Sequence, residues 1–118
     1  MRFMMMHYET QAMEDGVRPS PEMQAAIGQY MQAAAMDGVL LAGEGVAPSS
    51  EGARVEITDG NVRVIDGRFA EVKERIAGFA ILEVRSRAEA VEHARKFALL
   101  VGAERVDVRR VMEVSDFQ

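Results

Sequence analysis

At roughly 150 residues per domain, the 118-residue chain makes a single domain. Hydrophobic residues make up 48% and charged residues 28%, and Val, Leu, Ile and Phe fill about a quarter of the chain, so intrinsic disorder is excluded. The net charge of −5 argues against a phosphate-neutralising protein, and the lack of cysteine excludes disulfides, thiolate catalysis and cysteine-held zinc or iron–sulfur clusters.

The opening Arg2-Phe3-Met4-Met5-Met6-His7-Tyr8 is short, nearly all apolar and closed by Glu9-Thr10-Gln11, which predicts a strand over 2–8. It is too brief for a signal segment, and no apolar run approaches the roughly 18 residues of a spanning helix. A cytoplasmic protein is the expectation. After a polar loop the period changes: Met23, Ala26, Ile27, Tyr30, Met31 and Ala34 fall on one stripe of an amphipathic helix. Ser20 is its predicted N-cap, with Pro21 in the first turn, and Asp37-Gly38 closes it.

Residues 39–46 read as a second strand, followed by the turn-rich segment 47–52. On either side of Asp59-Gly60 the chain alternates apolar and polar residues, a strong hairpin signal with one wet face. Residues 67–75 form a polar loop, and 76–84 a nearly all-apolar strand expected to be buried on both faces. Ser86 and Glu89 mark a capping box, opening a helix that carries Val91, Ala94, Ala98 and Val101 and stops at Gly102. Residues 104–112 alternate as a last strand.

Removing the hairpin leaves strand, helix, strand, strand, helix, strand. The predicted class is therefore α+β, a ferredoxin-like split βαβ with an inserted β-hairpin. Both helices lie on one face of the four-stranded sheet, and the unbroken apolar character of 3–6 and 76–82 says the other face is not wet. A second copy packed sheet to sheet is the expected cover, making a homodimer, a dimeric α+β barrel.

The run Asp66-Gly67-Arg68-Phe69-Ala70-Glu71-Val72-Lys73-Glu74, followed by Gly78-Phe79, resembles the signature of the DGPF group of YCII-related proteins. Tyr8 at the end of the first strand, Ser20-Pro21-Glu22 and Gly43-Glu44-Gly45 before Pro48 fit the same pattern, so the resemblance covers nearly the whole chain. Arg68 departs from it, standing where the family usually has proline. The resemblance implies a dimeric α+β barrel of ferredoxin-like subunits. It implies little chemistry, in a mostly uncharacterised group often encoded near extracytoplasmic-function sigma factors. The wider family has a proposed His–Asp pair whose histidine opens the first helix. Here Ser20-Pro21-Glu22-Met23 supplies no histidine and Ala94 to Val101 no aspartate, so that pair does not carry over.

Two residues are candidates for catalysis as well as binding. His7 alternates with Phe3 and Met5 near the end of a central strand, and its near-neutral pKa suits acid–base work. The competing reading is a packed histidine. Glu44 ends an apolar strand between two glycines that let a ligand or backbone come close. Both are expected to project to one face of the sheet and serve one site. Asp66, Glu71 and Lys73 would complete it by folding the 66–75 loop over the cleft to hold a small polar ligand, against the reading that these charges pair in solvent. Phe69 is read as a core plug and His93 as solvated surface. No metal-ligand spacing, phosphate loop, dinucleotide fingerprint or basic aromatic stripe is present, so no cofactor, metal, nucleic-acid or membrane partner is expected. Two functions remain. One is a small-molecule-binding homodimer with catalysis left open; the other is a non-catalytic regulatory module working with a sigma-factor transcription system.

Overall fold

The computed structural model describes residues 1–69 and 74–118. Its main sheet has four antiparallel strands in the order β2-β5-β1-β6, formed by Leu40–Gly45, Ile76–Glu83, Arg2–Tyr8 and Val106–Arg110. The separate hairpin pairs β3, Ala53–Thr58, with β4, Asn61–Asp66. Helices α2, Pro21–Met36, and α3, Arg87–Val101, join the sheet as the split βαβ order requires, and the fold is ferredoxin-like α+β with an inserted hairpin. A four-residue helix α1, Gln11–Glu14, and 3-10 turns at Ser49–Glu51 and Val114–Phe117 lie in segments without periodic apolar pattern.

The predicted caps act as their residue types dictate. Ser20 Oγ accepts from the Met23 amide at 3.1 Å, and Ser86 Oγ accepts from the Glu89 amide at 3.2 Å. Glu89 reaches back to the Arg85 amide at 3.2 Å, one residue before its expected partner. Thr10 caps α1 by accepting from the Met13 amide.

The core lies between the sheet and the helices. Phe3 and Met5 from β1, Ala80 and Leu82 from β5, Val84 just beyond it, and Ala90, Ala94 and Phe97 from α3 are its buried members. Tyr30 of α2 packs against it and donates to the His93 carbonyl at 3.3 Å, tying the helices together. His93 is half-buried, correcting its reading as solvated surface.

Strand alternation places Met4 and Met6 of β1, with Phe79 and Ile81 opposite them, on the sheet's other face. All four are half-buried within the single chain, so the expected burial on both faces is only partly met there. The outer strand β2 carries an irregularity at Leu41, and the outer strand β6 ends in the exposed Arg109 and Arg110.

The hairpin turns where expected. Asp59 and Gly60 both have positive φ, 51° and 81°, the backbone of a primed two-residue turn. Its two strands pack mainly on each other, and the radius of gyration of 16.2 Å exceeds the roughly 13.5 Å usual for this length.

Candidate functional site

Continuing the inward alternation of β1 leads from the core to the candidate site. Phe3 and Met5 are buried under the helices, and His7, two residues on, sits in the same row with its ring edge-on to Phe97, centroids 5.2 Å apart. Opposite His7 is Gly78. A β-carbon there would stand 2.6 Å from His7 Nε2 and 3.0 Å from the Glu44 carbonyl oxygen, so the missing side chain at 78 is what gives the imidazole its room.

His7 borders a cavity of about 600 Å³, walled by Met13, Val17, Met23, Ile27 and Val101. The α1 segment and the loop to Ser20 form one side, the ends of α2 and α3 the others. The His7 imidazole makes no hydrogen bond with the described residues, and burial holds its pKa below the usual 6.5, which favours the neutral ring. A neutral imidazole offers one donor and one acceptor to whatever occupies the space.

Glu9 borders this cavity and a second one, of about 480 Å³, lined also by Val46, Ser49, Arg54, Phe69 and Arg75. Its side chain is only 5% exposed. Arg75 Nη1 stands 3.9 Å from Glu9 Oε2 and 2.8 Å from Glu14 Oε2, and Arg68 Nη1 meets Glu14 Oε1 at 2.9 Å. Burial raises the Glu9 pKa above its usual value and the neighbouring Glu14 adds to the rise, against the opposing pull of Arg75. Glu9 Oε2 and Ser49 Oγ are buried without hydrogen-bond partners among the described residues. Arg54 lies 4.7 Å above the Phe69 ring, so Phe69 walls this second cavity, a correction to its reading as a core plug.

The expected five-residue constellation does not assemble as drawn. Glu44 pairs with Phe79, and Gly43 with the inward Ala80, so Glu44 projects to the face opposite His7, where it is exposed. The expectation of a shared face fails because Glu44 falls one residue out of phase with the inward row of β2. Asp66 is exposed at the foot of the hairpin, across from Ala53, and borders neither cavity beside Glu9. Glu71 and Lys73 lie outside the described residues.

Sequence reasoning missed Glu9, Glu14 and Arg75. The signal for Glu9 was present, because Phe3, Met5, His7 and Glu9 are in phase along one alternation. Its charge instead marked it as the end of the strand. Among the described residues no group of three His, Cys, Asp or Glu could hold a metal ion, and no helix is long and apolar enough to cross a membrane.

No curated protein matches the chain. Among solved structures, 5-chloro-2-hydroxyhydroquinone dehydrochlorinase from Burkholderia phenoliruptrix, in complex with 2,5-dihydroxybenzoquinone, superposes with a TM-score of 0.56 at 13% identity, covering 98% of each chain. That likeness is one of fold. The YCII-related domain matches residues 1–115. With nearly the whole length matched, the chain belongs to the YCII-related family.

Proposed function

We propose that this protein is a homodimer that binds a small organic molecule in the cavity beside His7. The observation that carries this reading is the cavity itself. At about 600 Å³ it falls within the range of small-molecule sites, and its mostly apolar wall includes a half-buried imidazole without a hydrogen-bond partner among the described residues. Such a wall favours a compact, largely apolar ligand carrying a hydroxyl or carbonyl group for His7. The fold neighbour was solved with a hydroxylated quinone, which makes that class the first to try. Homodimer formation is supported by Met4, Met6, Phe79 and Ile81, four neighbouring apolar side chains on the sheet face that carries no helix.

The test is a thermal-shift and calorimetric screen with hydroxylated quinones, phenols and small aromatic acids, 2,5-dihydroxybenzoquinone included. A compound from the panel is expected to bind wild type and Glu44→Ala alike, and to lose at least about tenfold in affinity on His7→Ala. Equal binding by folded His7→Ala would move the site elsewhere. Absence of binding across the panel would favour the alternative role, a regulatory module of a sigma-factor transcription system that needs no ligand.

A further inference from the structure

The β3–β4 hairpin carries a surface that the single chain leaves unused. Cross-strand pairing puts Val55 opposite Val64 and Ile57 opposite Val62, so these four aliphatic side chains share one face of the ribbon. They are 62%, 59%, 70% and 66% exposed, respectively. The other face holds Arg54, Glu56, Thr58, Asn61 and Arg63, with Ile65 opposite Arg54 near its foot and Arg63 Nη2 bonded to Glu56 Oε2 at 2.9 Å. The ribbon is therefore amphipathic with its apolar side in water. A two-stranded hairpin is marginal at best by itself.

We infer that the hairpin is an arm whose Val55, Ile57, Val62 and Val64 face packs on a second copy of this chain. This rests on the homodimer proposed above and names the element that clasps it. Area is the first argument. The four side chains present on the order of 400 Å² per arm, so two arms and the surfaces they cover remove on the order of 1,600 Å², the size of a standard stable interface. Charge is the second. Each copy carries a net −5, and the four aliphatic positions bear no charge, Asp66 of the same row standing only at the foot of the arm, while Glu56 and Arg63 neutralise one another behind them, so like-charged copies meet at those four side chains with little repulsion. Symmetry is the third. A second copy brings its own uncovered apolar sheet face as well as its own arm, and a two-fold operation satisfies both sets of surfaces at once.

The experiment uses the full chain and measures mass by light scattering over a dilution series, comparing wild type with Ile57→Asp/Val62→Asp. Wild type is expected to be a dimer, and the double variant to dissociate at least about tenfold more readily with an unchanged circular dichroism spectrum. Glu56→Gln/Arg63→Gln, on the opposite face, is expected to leave the dimer intact. A monomeric wild type overturns both this inference and the homodimer. A dimeric wild type whose double variant dissociates no more readily overturns the arm alone.

The absence of cysteine allows a second readout that does not depend on the charged variant folding. The thiol of Ile57→Cys is expected to react with a maleimide at least about fivefold more slowly in the dimer than after dilution to monomer, whereas Thr58→Cys reacts equally in both. Equal reactivity of Ile57→Cys at both concentrations overturns the inference.

Discussion

The imidazole of His7 occupies the space that a side chain at Gly78 would need. These residues face each other across β1 and β5, with Nε2 2.6 Å from the β-carbon position at 78. Gly78→Ala is therefore expected to destabilise the fold by about 2 kcal/mol through overpacking. In a double-mutant cycle with His7→Ala the penalty should shrink by at least about 0.5 kcal/mol, because the ring is the nearest obstacle; the Glu44 carbonyl, 3.0 Å away, keeps it from vanishing. Denaturant unfolding of the four proteins measures this. Strict additivity would show that the ring moves aside without cost.

His7 in β1 and Glu9 just beyond its end, both shielded from water, give opposite pH dependences. His7 has its folded pKa below the unfolded 6.5, so its contribution is present above that pH and is lost as acidification proceeds from 6.5 toward the lowered value. Glu9 has its folded pKa above the unfolded 4.5, so its contribution is present below 4.5 and is lost as pH rises through the folded value. Unfolding free energies between pH 4 and 8 are expected to show the His7 slope vanish in His7→Ala and the Glu9 slope vanish in Glu9→Gln. Unchanged profiles would mean that neither group differs between folded and unfolded chains.

Arg75 sits between two carboxylates, its side chain 10% exposed beside Glu9 at 5% and Glu14 at 13%. Arg75→Met leaves both without that cation and is expected to cost about 3 kcal/mol at pH 7. The loss should narrow near pH 4, where Glu9 takes up a proton more readily than an ordinary glutamate. A pH-independent loss would trace the effect to packing of the arginine stem instead.

At the tip of the hairpin, Gly60→Val forces a β-branched residue to φ 81° and is expected to cost about 1 kcal/mol or more of local stability. Because β3 and β4 pack mainly on each other, faster exchange of the cross-strand amides at Glu56, Thr58, Asn61 and Arg63 is the sensitive readout. The exchange of Ala80 and Leu82 in the core should stay unchanged. Faster exchange throughout would tie the turn to the global fold.

The topology was legible because its signals are local. Ser20 and Ser86 cap the helices they were expected to cap, Asp59-Gly60 turns the hairpin, and Phe3, Met5 and His7 share one face of their strand, as their alternation required. The site was less legible because it depends on phase and long-range pairing. A single residue of register sends Glu44 to the face opposite His7. Nothing local to Glu9, Glu14 or Arg75 announces that residues so far apart in the chain meet in one buried ionic cluster. Glu71 and Lys73 of the family-like run lie outside the described residues.

The two outer strands decide how copies of this chain cannot grow. The irregularity at Leu41 interrupts the even ladder that an incoming strand would need along β2. On β6, Arg110 is held by Asp116 through paired contacts of 2.9 and 2.8 Å, fastening the C-terminal turn near that border, with Arg109 exposed beside it. Neither border invites continuous strand addition, so the two-fold association proposed above would close on itself without propagating the sheet into a fibre.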